Sequence, residues 1–244
     1  MGKEVKMKRK ISIFLCLITV LSLLLTGCTL EDFLSLLEQN PTPPSVSLDE
    51  IPEFDGTTPY VIINDNTPFF TDEKTDGSYE IYSELDALGR CGVTIACIGI
   101  DIMPTEERGS IGHVKPSGWQ SVKYDFVDGK YLYNRCHLIG FQLAGENDNR
   151  KNLITGTRYM NVEGMLPFEN MVADYVKETE NHVLYRVTPI FDGNNLVAGG
   201  VLMEAMSVED GGEGILFCVF VYNAQPGIVI DYATGESQPE LNYR

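Results

Sequence analysis

Four polar side chains, Arg135, His137, Asn161 and Glu169, could together perform metal-assisted acid–base chemistry. A histidine has a pKa near ~6.5, so His137 can accept a proton at neutral pH without extreme tuning. Asn161, 24 residues later, supplies a neutral oxygen ligand that suits Mg²⁺. Glu169 can accept hydrogen bonds from the water around such an ion. A lone histidine is more often a hydrogen-bonded packing residue, so the prediction depends on the four residues together.

The same stretches carry a family resemblance. They read Tyr131-Leu132-Tyr133-Asn134-Arg135-Cys136-His137-Leu138-Ile139-Gly140, and Lys151-Asn152-Leu153-Ile154-Thr155-Gly156-Thr157-Arg158-Tyr159-Met160-Asn161. This pattern resembles the ββα-metal (His-Me finger) site of the DNA/RNA non-specific endonucleases, in particular the streptococcal-type secreted and surface nucleases. The resemblance covers roughly residues 89–222. It implies an α+β fold with a central, mainly antiparallel sheet, and a Mg²⁺-dependent endonuclease without sequence preference, with Mn²⁺ as a substitute.

The resemblance also implies residue roles. His137 would deprotonate the attacking water, and Asn161 would hold the metal, with Glu169 in its outer shell. Asn152 matches a second family asparagine, to which we assign a supporting hydrogen bond. Independently of the family, the chain has no Cys-x-x-Cys or His-x-x-x-His pattern, which argues against a zinc site. Arg135 faces the same side of its strand as His137, and it is one candidate for stabilising the transition-state charge; Lys115 and Arg108 are others.

The charge distribution is informative once the chain is divided. The whole chain has a net charge of −17. After the five basic residues and one acid of the first 27 positions are removed, 13 basic and 34 acidic residues remain, a net of −21. The window from residue 108 to 158 nevertheless holds eight basic residues and four acids, a net of +4. Such local basic clustering is what phosphate binding requires.

We therefore expect DNA, with RNA as a further candidate, as the substrate. The expected substrate-binding residues are Arg108, Lys115, Lys123, Arg150, Lys151 and Arg158. Trp119, the only tryptophan, could stack on a base, although a core position is the interpretation that its type favours.

The N-terminus has the features of a bacterial lipoprotein signal. A basic segment at residues 3–10 precedes a 15-residue apolar run at 11–25, too short to span a membrane and right for a signal peptide. Leu25-Thr26-Gly27-Cys28 resembles a lipobox, with Cys28 as the lipidated residue; an uncleaved anchor helix is the alternative. We predict a signal peptide at 1–27, a Pro-rich tether at 28–58, a nuclease domain at 59–231 and a tail at 232–244. The domain would lie outside the cytoplasm, attached by lipid to the cell membrane, and no protein partner can be inferred.

Four cysteines, Cys91, Cys97, Cys136 and Cys218, remain after Cys16 and Cys28. Four cysteines allow three pairings, and we expect unpaired, buried thiols. Neighbours on a strand point to opposite faces, so Cys136 should face away from His137.

Hydrophobic periodicity indicates the elements that position the site. Strands are predicted at residues 90–102, 182–191, 196–208 and 215–222, and a hairpin at 120–126 and 130–135 with an Asp-Gly turn. Residues 138–149 should form a short helix or loop. An amphipathic helix should run from about Pro167 to Glu180, which places Asn161 before a break. The tail after Gln225 is expected to be irregular.

Two other classes of protein remain open at this stage. A lipoprotein that binds nucleic acid without cutting it could share the fold. An adhesion or solute-binding lipoprotein would also fit the lipobox, the tether and the acidic surface. It would require the basic residues of the window 108–158 to be scattered in space, and a large separation between His137 and Asn161 would favour it.

Overall fold

The structure is a computed structural model of the 244-residue chain, and it describes residues 46–71 and 73–241. The predicted signal peptide, Cys28 and the first part of the predicted tether lie outside the described residues. Within the described ranges, no helix is long and apolar enough to cross a membrane.

The larger sheet consists of six antiparallel strands in the order β1-β8-β7-β6-β3-β2. Their bounds are β1 Tyr60–Ile62, β2 Tyr79–Tyr82, β3 Thr94–Ile98, β6 Val183–Ile190, β7 Gly200–Ser207 and β8 Leu216–Tyr222. The predicted α+β class with an antiparallel sheet is therefore confirmed. The strand predicted at 90–102 is shorter, because the chain turns at Gly99, whose carbonyl accepts a bond from Ile102 N–H.

One helix covers one face of this sheet. Helix α2, Leu166–Thr179, follows the short helix α1, Phe141–Ala144. Phe168, Val172 and Val176 are buried at helical spacing, as predicted. The Phe168 ring lies 4.8 Å from the Phe217 ring of β8. Burying each of these side chains contributes about 1.5–3 kcal/mol, so α2 is held firmly against the sheet.

The opposite face of the sheet carries a buried ion-pair network. Arg186 of β6 pairs with Glu204 of β7 at 2.7 Å and with Glu73 at 2.8 Å. The backbone N–H of Phe69 also donates to Glu204. These bonds hold the segment around Phe69 and Glu73 over the sheet and satisfy charges that would be costly to bury alone.

The site is built on a second, two-stranded sheet formed by β4, Tyr133–His137, and β5, Leu153–Thr157. His137 lies opposite Leu153, and Arg135 lies opposite Thr155. The hairpin predicted for 120–126 and 130–135 is present in part. The N–H groups of Tyr124 and Leu132 donate to the carbonyls of Lys130 and Val122, and Lys123 bridges Tyr131, whereas residues 133–137 pair with β5 instead.

Both ends of the described chain pack more closely than predicted. Phe54, in the predicted tether, contacts the rings of Tyr159 and Tyr222. The tail is not irregular, because β9, Ile228–Ile230, pairs with β10, Ser237–Pro239. The carbonyl of Gly235, between these two strands, accepts a bond from the Tyr133 hydroxyl at 3.0 Å and so supports β4.

Candidate active site

A cleft of about 730 Å³ lies beside β4, and it contains most of the predicted catalytic residues. Strand alternation directs Tyr133, Arg135 and His137 to the cleft side. The predicted site residues that line it are Arg108, Trp119, Arg135, His137, Arg158, Asn161 and Glu169. The fold therefore brings the two principal candidates, His137 and Asn161, into one cavity from different elements.

His137 is 6% exposed, and both of its ring nitrogens have neighbours. Nε2 lies 2.7 Å from the backbone carbonyl oxygen of Asn147, and Nδ1 lies 3.3 Å from the Arg108 guanidinium. A carbonyl oxygen can only accept, so Nε2 carries the proton and Nδ1 carries the lone pair. Burial, together with the Arg108 charge, lowers the pKa of His137 to about 4 against the opposing effect of the Asn147 bond. The imidazole is therefore neutral at physiological pH, as a base must be.

Arg135 has a different environment from the one that its spacing suggested. Its guanidinium donates to the carbonyl oxygens of Val114 and Gly112, and it lies 4.0 Å above the Trp119 ring. Arg135 thus fixes the loop before β4. Burial lowers its pKa from the ordinary value, and the guanidinium keeps its charge at physiological pH. Trp119 is half-buried at the cleft wall, and the core position that its type favoured was wrong.

Asn161 lies in a π-helical turn, Met160–Met165, that continues directly into α2. Its carbonyl oxygen accepts a bond from Leu166 N–H, five residues later. The expected break before Pro167 was wrong, because Pro167 sits in the first turn of α2, where a missing N–H is tolerated. Asn161 and Glu169 therefore share one helical segment, and π turns often occur at functional sites.

Glu169 follows the buried Phe168 on α2, and its carboxylate lies against Gly140. A Cβ at Gly140 would come within 2.7 Å of Glu169 Oε2, so the close approach depends on glycine. Burial raises the pKa of Glu169 to about 7, and a hydrogen bond from Gln142 and the charge of Arg108 act in the opposite direction. A bound cation would oppose this shift and favour the carboxylate.

Asn152 does not line the cleft. It is fully buried, and it both accepts from Ile139 N–H at 2.8 Å and donates to Ile139 O at 2.9 Å. It thereby positions the chain directly after His137, which agrees with the supporting hydrogen bond assigned from the sequence.

The basic residues of the window 108–158 do not all lie together in the folded protein. Three of its residues, Arg108, Arg135 and Arg158, line the cleft, and Arg158 also pairs with Asp128 at 2.7 Å. The other predicted substrate-binding residues are outside that lining: Lys115, Lys123, Arg150 and Lys151. Lys151 pairs with Glu84, and Lys130 pairs with Asp125.

The thiol predictions are confirmed for the described residues. Cys91, Cys97, Cys136 and Cys218 are free and buried. Cys136 is fully buried behind His137, and burial raises its pKa well above the ordinary value, so it is not an activated nucleophile.

Sequence reasoning missed Asn147, Gly140 and Gln142. Asn147 acts through its backbone carbonyl, which leaves no signature in residue type. The Asn147 side-chain oxygen is buried without a hydrogen-bond partner in the described part of the chain. Gly140 could have been suspected only as a glycine three residues after His137, and Gln142 had no distinguishing signal.

Comparison with known proteins identifies relatives of this chain. A curated deoxyribonuclease from Streptococcus dysgalactiae subsp. equisimilis is 33% identical over 111 residues, which are 43% of this chain and 32% of that protein. The chain thus matches about a third of the length of this relative.

Solved structures share the fold. NucA from Streptococcus agalactiae, with magnesium bound, superposes with a TM-score of 0.69 at 22% identity over 87% of this chain and 98% of that one. Sda1 nuclease, with a bound zinc ion, gives 0.56 at 31% identity over 66% and 81% of the two chains. The model of the DNA/RNA non-specific endonuclease family matches residues 70–209, more than half of the sequence. The chain belongs to the DNA/RNA non-specific endonuclease family.

Proposed function

We propose that this protein hydrolyses phosphodiester bonds within DNA, with RNA as a further candidate substrate, and that it does so without sequence preference. The observation that carries the proposal is the orientation of His137. Its Nε2 proton is held by Asn147 O, while its unprotonated Nδ1 lies 3.3 Å from the Arg108 guanidinium, and both residues line the cleft that also holds Asn161. A neutral imidazole nitrogen in an arginine-lined cleft is suited to take a proton from water beside a phosphate.

Each residue then has a definite task. His137 accepts a proton from the attacking water at Nδ1, and the Asn147 carbonyl stabilises the imidazolium that results. Arg108, 3.3 Å from Nδ1, is placed to contact a nonbridging phosphate oxygen beside that water. A preorganised donor of this kind typically contributes roughly 3 kcal/mol to transition-state stabilisation.

The donor set in the cleft suits a hard divalent cation. Asn161 offers an amide oxygen and Glu169 a carboxylate, and the described residues contain no cluster of three or more His, Cys, Asp or Glu that could hold a metal. Asn161 would hold Mg²⁺, with Mn²⁺ as a substitute, and Glu169 would accept bonds from its water. When bound, the ion would supply Lewis-acid stabilisation of the phosphate and of the leaving 3′-oxygen.

The proposed lack of sequence preference follows from the kind of side chains that line the cleft. The cleft presents guanidinium groups, which bind phosphate oxygens, and phosphate contacts position a protein without reading bases. We expect cleavage of any duplex sequence that reaches His137.

The direct test is a plasmid-nicking assay with Mg²⁺, Mn²⁺, Ca²⁺ or chelator. We expect His137→Ala to bind DNA but to lose about 10²–10⁴ in rate, with partial rescue by added imidazole. Asn161→Ala should respond to raised Mg²⁺ or Mn²⁺ and not to imidazole, so the two variants serve as controls for each other. Retained DNA binding with no nicking under any condition would indicate a nucleic-acid-binding protein instead. Full activity of His137→Ala would refute the mechanism.

We also propose that the protein lies outside the cytoplasm and is attached to the cell membrane by lipid on Cys28. The support is the basic segment, the short apolar run and Leu-Thr-Gly-Cys at residues 25–28. Labelling with a fatty-acid analogue should modify the wild-type protein and not Cys28→Ala. Equal labelling of both proteins would rule out this anchor.

A further inference from the structure

An exposed aromatic residue lies in the cleft away from the proposed reaction centre. Tyr131 is 47% exposed, although it lines the same cavity as His137 and Arg135. By contrast, Tyr133 is buried, and its hydroxyl is bonded to Gly235 O. Of the two tyrosines that line the cleft, Tyr131 is therefore the one whose ring is accessible to a ligand.

Tyr131 and the proposed base His137 lie at different positions along the cleft. Tyr131 lies two residues before β4, beyond a bend at Leu132, and it lines the cleft together with Tyr133, Arg135 and His137 of β4. Six residues separate Tyr131 from His137, which is at most about 20 Å of extended chain at ~3.3 Å per residue. That distance corresponds to about six steps of B-form DNA at ~3.4 Å each, so a bound strand that runs along β4 passes the Tyr131 ring.

A cation accompanies the ring. Lys123 Nζ lies 4.4 Å from the ring centroid of Tyr131, across the single bridge that joins these two residues. Lys123 lies outside the cleft lining, so its charge is not used at the reaction centre. An aromatic face for stacking beside a lysine for phosphate is the usual combination in proteins that bind single-stranded nucleic acid.

We propose that Tyr131 stacks on an unpaired base of a single-stranded substrate, and that Lys123 contacts the neighbouring phosphate. This inference rests on the proposed nuclease function and extends it to a substrate class. In a duplex the bases are stacked on one another and cannot reach the ring, so the contact favours single strands. Tyr131 would then set the preference for single-stranded over duplex nucleic acid without taking part in the cleavage step.

The test is an abasic scan of a fluorescent single-stranded oligonucleotide, with binding measured in EDTA so that no cleavage occurs. A stack of this kind is worth about a 5- to 150-fold change in affinity per base. One abasic position should weaken wild-type binding by that factor, and the same position should have no effect in Tyr131→Ala. Tyr131→Phe, which keeps the ring, should behave as wild type. Phe126→Ala is the matched control, because Phe126 is an aromatic residue of similar exposure, 51%, outside the cleft lining.

Tyr131→Ala should weaken single-strand binding by a larger factor than duplex binding. The inference is overturned if no abasic position is sensitive, if Tyr131→Ala keeps the same sensitive position, or if it weakens duplex and single strands equally. Failure of the nuclease proposal is a separate result, because it would show as absent nicking by the wild-type protein, whatever the outcome of the scan.

Discussion

The imidazole of His137 and the backbone carbonyl of Asn147 form a hydrogen bond of 2.7 Å that decides which ring nitrogen can act as a base. In metal-free protein we expect the His137 imidazole to be the Nε2–H tautomer and to stay neutral down to about pH 4, because burial lowers its pKa. Nitrogen-15 NMR of the imidazoles, with His137→Ala to assign the resonance, measures both properties. A midpoint near ~6.5, or an Nδ1–H tautomer, would contradict this description.

The buried carboxyl of Glu169 predicts a pH-dependent difference in stability. Its pKa is raised to about 7 from an ordinary 4.5, so the folded state binds more protons than the unfolded state between these values. The contribution of Glu169 to the unfolding free energy therefore falls as pH rises through that window. His137 has the opposite slope between about 4 and 6.5, but it is common to wild type and Glu169→Gln and cancels in their difference.

Urea unfolding of both proteins in EDTA tests this expectation. The stability of Glu169→Gln relative to wild type should increase from pH 4.5 to 7 and then level off. Added Mg²⁺ should reduce the difference, because the ion favours the carboxylate. A difference that does not change with pH would mean that Glu169 is not perturbed in the folded protein.

Gly140→Ala should impair metal use without unfolding the protein. The backbone of Gly140, at φ −56° and ψ 142°, suits alanine, so the change should not lower stability. The added methyl would contact Glu169 Oε2 at 2.7 Å and displace the carboxylate. We expect the Mg²⁺ concentration for half-maximal nicking to rise several-fold. In a Glu169→Ala background the same change should have no further effect, and an undiminished effect there would show that it does not act through Glu169.

The salt dependence of DNA binding should be that of a few phosphate contacts. Arg108 and Arg158 line the cleft, while the third arginine of the lining, Arg135, gives its donors to backbone carbonyls. Two phosphate contacts predict a slope of log K against log salt of about −1.8 and an affinity loss of about 12-fold between ~50 and ~200 mM. Arg158→Ala should reduce the slope by about one. Lys151→Ala is the matched control, because Lys151 pairs with Glu84 outside the cleft lining and should leave the slope unchanged. A flat salt response of the wild type would exclude a cationic binding cleft.

Several secondary-structure elements could be predicted from the sequence because they depend mainly on the pattern of neighbouring residues in the chain. The apolar strands β6, β7 and β8 and the periodic helix α2 appear close to their predicted bounds, since burial patterns depend on neighbours in the chain. The unpaired thiols were also predicted correctly. The candidate residues for metal and acid–base chemistry could be proposed because that chemistry restricts the residue types.

Other features depended on contacts between distant segments. Residues 133–137 pair with β5 rather than with the preceding hairpin arm, because β5 supplies a full ladder of backbone partners, whereas the arm bonds only to residues 130–132. The helix around Asn161 is continuous because a π turn accommodates Pro167, and no local propensity specifies that turn. Arg135 was one of three candidates for contacting the reacting phosphate, and in the folded protein its guanidinium donates to the carbonyls of Val114 and Gly112.

The sequence by itself determined which side chains could perform the chemistry, since His137, Asn161 and Glu169 are defined by residue type and spacing. Only the tertiary structure decided how those groups are tuned. The proton on His137 is set by a backbone carbonyl, and the burial of Glu169 depends on the absent side chain of Gly140. Every residue has a backbone carbonyl, and a glycine can occur for many reasons. The roles of the Asn147 carbonyl and of Gly140 can therefore be recognised only in the folded structure.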